Sequence, residues 1–63
     1  MSEPLAKAIR YRELAAECVR LSEIATDERV CGGYRNLAAS YLALARAELR
    51  RIDQTAAREQ FQR

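Results

Sequence analysis

Apart from one interruption near its middle, the chain is composed almost wholly of the strong helix formers Ala, Leu, Arg and Glu. Pro4 is its only proline, and its two glycines are the adjacent pair Gly32 and Gly33. With residues placed about 100° apart, Ala8, Tyr11, Leu14, Ala15, Cys18, Leu21 and Ala25 fall on one stripe. Arg10, Arg12, Glu13, Glu17, Arg20 and Glu23 occupy the opposite side. That periodicity predicts an amphipathic helix over residues 3–25. Ser2 suits its N-cap, and Glu3 and Pro4 suit its first turn. Thr26-Asp27 reads as a break, with Asp27 able to cap a second helix whose first turn holds Glu28. On that second helix Tyr34, Leu37, Ala38, Tyr41, Leu44, Ala45, Leu49, Ile52 and Ala56 share a face, carrying it to residue 58.

The glycines leave two starts open. Either the turn is residues 26–27 and the glycines sit in a loosened first turn, at about 2 kcal/mol relative to two alanines, or the turn spans 26–33 and the helix begins near Tyr34. The early start is favoured because the late one strands Val30 and Cys31 in a loop. Helix 2 then outruns helix 1, and its polar end from Asp53 on is expected to fray.

Two helices with a tight connection predict an all-α chain: a single two-helix antiparallel hairpin over residues 1–63. A turn centred near Asp27 would set Leu14 level with Ser40 and Leu21 level with Gly33. Of the 31 residues counted as apolar, 12 are Ala, and large aliphatics number seven Leu, three Ile and two Val. A chain of 63 residues with that supply can close one seam, not a core enclosing a pocket. The expected seam sets Leu14, Cys18 and Leu21 against Leu37, Tyr41, Leu44, Leu49 and Ile52. A lone hairpin would cover only part of each stripe. The expectation is therefore a partner: a second hairpin, giving a homodimeric four-helix bundle, or another helical protein.

Several function classes drop out. There is no His, hence no ordinary imidazole base and no His-based metal site. Cys18 and Cys31 cannot form a Cys-x-x-Cys site, and zinc would need four ligands. No segment approaches the ~20 apolar residues of a membrane span. Met1-Ser2-Glu3-Pro4 is not the start of a signal peptide. A cytoplasmic, non-enzymatic protein without cofactor or metal is the expectation. The net charge of +2 is unevenly spread: −1 over residues 1–31 (five basic, six acidic) and +3 over residues 32–63 (six basic, three acidic).

Each remaining constellation has a plain reading beside a functional one. Glu13 and Glu17, one turn apart, could share a divalent ion, but a solvated face with Arg10, Arg20 and Glu23 in i,i+3 pairs explains them better. Cys18 reads as a small buried hydrophobe. Five residues of offset, about 7.5 Å, keep it from bridging to Cys31. Cys31 at a helix start could be reactive, though the inert reading leads. Gly32-Gly33 lacks the strand and longer glycine pattern of a phosphate loop. Tyr11, Tyr34 and Tyr41 lie on the apolar faces and read as packing residues rather than base-stacking ones. The outer face of helix 2 carries Ala39, Ala43 and Ala47 among Arg35, Arg46, Arg50 and Arg51. A solvated face is its plain reading. An acidic protein partner comes next, and nucleic acid gripped by Arg46, Arg50 and Arg51 is the third.

Three runs carry a family likeness: Tyr11-Arg12-Glu13-Leu14-Ala15-Ala16-Glu17-Cys18-Val19-Arg20-Leu21, Ala25-Thr26-Asp27, and Leu37-Ala38-Ala39-Ser40-Tyr41-Leu42-Ala43-Leu44-Ala45. Over residues 8–50 the chain resembles a group of very small, uncharacterised alphaproteobacterial helical-hairpin proteins. In that group a proline follows the turn Asp, where Glu28 stands here, and a charged stretch replaces Cys31-Gly32-Gly33. The resemblance implies a helical hairpin of bacterial cytoplasmic origin and brings no activity with it.

Overall fold

A computed structural model describes residues 2–61, with side chains as far as Thr55. Two helices make up the chain, α1 (Glu3–Ile24) and α2 (Glu28–Phe61), packed against each other as a hairpin. The Ser2 hydroxyl accepts from the Leu5 N–H at 3.3 Å, and the Ser2 carbonyl accepts from the Ala6 N–H at 3.0 Å. Two of the otherwise orphaned first-turn donors are thereby satisfied. Lys7 and Glu3, one turn apart, add an exposed ion pair at 3.4 Å. At the other end Ala25 turns extended, its N–H still donating to the Leu21 carbonyl at 3.1 Å.

The connection is only Ala25-Thr26-Asp27. Asp27 Oδ1 accepts from the Arg29 N–H at 2.9 Å and the Asp27 carbonyl accepts from Cys31, so this residue starts α2 with both its side chain and its backbone. Gly32 and Gly33 are therefore helical, in the earlier of the two arrangements. Neither has a positive φ, and a Cβ at either position would meet nothing within 4 Å. The hairpin itself makes no use of their lack of a side chain. At about 1.5 Å per residue, α2 with 34 residues outruns α1 with 22 by roughly 18 Å. Ala56 and the polar end from Arg58 on, expected to fray, lie outside the residues whose side chains are described.

The two helices meet along residues spaced alternately three and four apart. On α1 these are Pro4, Ala8, Tyr11, Ala15, Cys18 and Ser22; on α2 they are Cys31, Tyr34, Ala38, Tyr41, Ala45, Glu48 and Ile52. Every one is buried or half-buried. The mean spacing of 3.5 is that of a left-handed helical pair. What lies deepest is small: Ala8, Ala15, Cys18, Ala38 and Ala45, with Ser22, whose hydroxyl donates to the Val19 carbonyl at 2.6 Å. Tyr41 packs on the centre of this seam, and its ring stacks on Tyr11 with centroids 6.2 Å apart. That contact pairs positions summing to 52 rather than 54, because the turn is centred on Thr26 and not on Asp27. Leu14 is thus level with Ala38 instead of Ser40, and Leu21 with Cys31 instead of Gly33.

Candidate interaction faces

The eight residues expected to form one seam are divided by the structure. Cys18 is buried in it, and Tyr41 and Ile52 occupy it half-buried. Leu14 and Leu21 are half-buried at its edge, while Leu37, Leu44 and Leu49 are 44%, 45% and 39% exposed. The physical reason is closeness of approach. Alanines let two backbones pack tightly, so small residues take the contact line and the larger aliphatics are left on either side of it.

Where those aliphatics point follows from helix geometry. Leu14 and Leu21 immediately precede the seam residues Ala15 and Ser22; Val30, Leu37 and Leu44 immediately precede Cys31, Ala38 and Ala45. One residue back is a rotation of about 100°. In antiparallel helices that step turns both rows to the same side of the hairpin. One flank thus presents Leu14, Leu21, Val30, Leu37 and Leu44 with no charge among them. The residues that immediately follow the seam turn to the opposite flank: Leu5, Arg12 and Val19 from α1, and Arg35, Leu42 and Leu49 from α2. That flank is also apolar, but Arg12 and Arg35 interrupt it midway.

The outer face of α2 holds the other candidates. Arg35, Ala39, Ala43, Arg46, Ala47, Arg50 and Arg51 are all exposed. A shallow depression there is lined by Ala43, Arg46, Leu49, Arg50 and Asp53, and a second near the turn by Glu28, Arg29, Cys31, Gly32 and Arg35. Arg51 is ion-paired with Glu48 at 3.7 Å; Arg35, Arg46 and Arg50 have no ion pair among the described residues. On α1 the exposed Glu17 carboxylate accepts from the Arg20 guanidinium and, by that hydrogen bond first and its charge second, raises the arginine's pKa. Both cysteines are free thiols, Cys18 in the seam and Cys31 half-buried.

Two seam residues escape the helical-stripe reading. Ser22 is polar, and its self-satisfied hydroxyl hides that it is buried. Glu48 is charged, yet its side chain is only 14% exposed, and Oε2 has the Arg51 ion pair but no hydrogen bond. The signal that would have found both is the seven-residue recurrence Ala8, Ala15, Ser22 on α1 and Tyr34, Tyr41, Glu48 on α2. Among the described residues no group of three metal-ligating side chains comes together, and no helix is long and apolar enough to cross a membrane. No protein-family model matches the chain, and no curated protein or solved structure is significantly similar to it.

Proposed function

We propose that this protein is a small non-enzymatic interaction module that self-associates through its apolar helix flanks, two hairpins completing a four-helix bundle. The observation that carries this reading is the exposure of large aliphatics: Leu5, Ile9, Val19, Ile24, Val30, Leu37, Leu42, Leu44 and Leu49 are all open to solvent in the single chain. What the hairpin does bury is mostly alanine, and each methyl removed from water contributes only about 0.8 kcal/mol. Against roughly 1–2 kcal/mol of backbone entropy per ordered residue, an alanine seam is a poor sole support for two long helices. Covering the leucines, at about 1.5–3 kcal/mol for each fully buried side chain, supplies what the seam lacks.

Size-exclusion chromatography with light scattering, at two protein concentrations, tests this directly. A mass of twice the chain at both is the expected result, and a monomer at both rejects self-association. A second reading draws on the outer face of α2, where Arg46 and Arg50 flank a smooth run of alanines. In that reading an acidic helical partner protein docks there. Nucleic acid on Arg46, Arg50 and Arg51 would instead give binding that falls steeply with salt.

A further inference from the structure

We infer that the second copy docks on the charge-free flank alone, with the two hairpins antiparallel and Leu37 at the two-fold axis. The inference rests on the self-association proposed above and adds to it which face is used and in which direction.

The choice of flank follows from charge. Using the opposite flank would bury Arg12 and Arg35 of both copies near the middle of the interface, four cations with no acidic group on that flank except Glu28 at the turn. Unpaired buried charge is among the most costly features an interface can have. The flank of Leu14, Leu21, Val30, Leu37 and Leu44 buries none.

The direction follows from the order of side chains along that flank. With Tyr11 level with Tyr41, the distances from the turn at ~1.5 Å per residue are about 6 Å for Val30, 8 Å for Leu21, 16 Å for Leu37, 18 Å for Leu14 and 27 Å for Leu44. Lys7 and Arg51 extend the same row toward the open end, at about 28 and 37 Å. A two-fold axis across the helices sets α2 on α2 and α1 on α1. Placed at Leu37, it lays Leu44 on Val30 of the second copy and returns Leu37 to itself. Lys7 comes level with Glu23 of the second copy, and Arg51 reaches its acidic turn, Asp27-Glu28. A two-fold axis along the helices sets α1 on α2 instead. Leu44 then meets Lys7, and Lys7 and Arg51 of one copy face Arg51 and Lys7 of the other. The antiparallel arrangement matches leucine with valine and cation with carboxylate, where the parallel one matches neither.

The area is sufficient. An axis at Leu37 bisects the hairpin, so the copies overlap along nearly all of α1, roughly 33 Å, with a width of two helices, about 20 Å. That footprint, roughly 650 Å² in projection, is of the order of the ~800 Å² of accessible surface per partner found in stable complexes.

Disulfide capture distinguishes the arrangements. In a Cys18→Ala, Cys31→Ala background, sedimentation equilibrium first gives the mass; a monomer at every concentration overturns the self-association reading itself. Given a dimer, single-cysteine variants are oxidised with diamide and the covalent dimer is followed on non-reducing gels. Leu37→Cys is expected to cross-link at least tenfold faster than Leu42→Cys on the opposite flank. An equimolar mixture of Val30→Cys and Leu44→Cys is expected to give the mixed dimer in preference to either self-dimer, an independent check should Leu37→Cys perturb the bundle. In the parallel arrangement the two Leu37 positions lie on the diagonal of the bundle, about 14 Å apart for ~10 Å sides, beyond disulfide reach. Fast cross-linking of Leu14→Cys with Leu37→Cys, and not of Leu37→Cys with itself, would therefore overturn the direction. Fast cross-linking of Leu42→Cys would overturn the choice of flank.

Discussion

The seam between the helices and the flank beside it are one residue apart in sequence and opposite in character. In the seam stand Ala15, Ala38 and Ala45, buried; next to them stand Leu14, half-buried, and Leu37 and Leu44, nearly half open to solvent. The more hydrophobic residues are the less buried ones. Closeness of approach decides which residues touch within the hairpin, because alanine is what lets the two backbones close up. Hydrophobic area decides what must be covered afterwards, and that area lies on the flank. Fold geometry and the main source of stability are thus assigned to different side chains.

That contrast can be broken most severely at Leu44. Leu44→Glu puts a carboxylate where the second copy is expected to lay Val30, and desolvating it should weaken association by about 3 kcal/mol or more, on the order of a hundredfold. With only an alanine seam remaining, helicity should fall at micromolar concentration; an unchanged mass and far-ultraviolet circular dichroism spectrum would remove Leu44 from any interface. Ala38→Leu sharpens the contrast from the other side. Although it adds a hydrophobic side chain, it is expected to destabilise by about 1–3 kcal/mol, because the seam has no room for it. A rise in the urea midpoint would show the helices packed more loosely than described. The smallest effect belongs to the glycines. Since a Cβ at Gly32 or Gly33 meets nothing, Gly32→Ala and Gly33→Ala should each stabilise by about 0.5–1 kcal/mol, read as a higher thermal midpoint. A lower midpoint would mean that a neighbour outside the hairpin rests against that stretch.

Much of the hairpin was legible in the sequence because its local signals agree. Ser2 and Asp27 each cap a helix with the side-chain hydrogen bond their chemistry allows, and the apolar periodicity between and beyond them is unbroken. Gly32-Gly33 left the start of α2 open because a helical cost of about 2 kcal/mol competed with the exposure of Val30. That side chain is 46% exposed even in the helix, so its burial was not what settled the matter. The pairing of Leu14 and Leu21 with their neighbours slipped by two residues, since a turn one residue earlier moves every level by two. The seam was the least legible part. A stripe drawn at 100° per residue averages contacting alanines with flanking leucines, and nothing in hydrophobicity alone separates them. Ser22 and Glu48, being polar, drop out of such a stripe altogether.

The central claim is that the hairpin's leucine flank is covered by association, and the concentration dependence of unfolding tests it most directly. If folding and association are coupled, each tenfold rise in chain concentration stabilises the assembly by about 1.4 kcal/mol, which should raise the thermal midpoint by about 5 °C for a dimer of this size. The measurement is thermal circular dichroism from low micromolar to near-millimolar protein. A midpoint that climbs with concentration is the expected result. A sharp, reversible transition at the same temperature throughout would mean that the alanine seam holds the hairpin by itself, and would contradict the account.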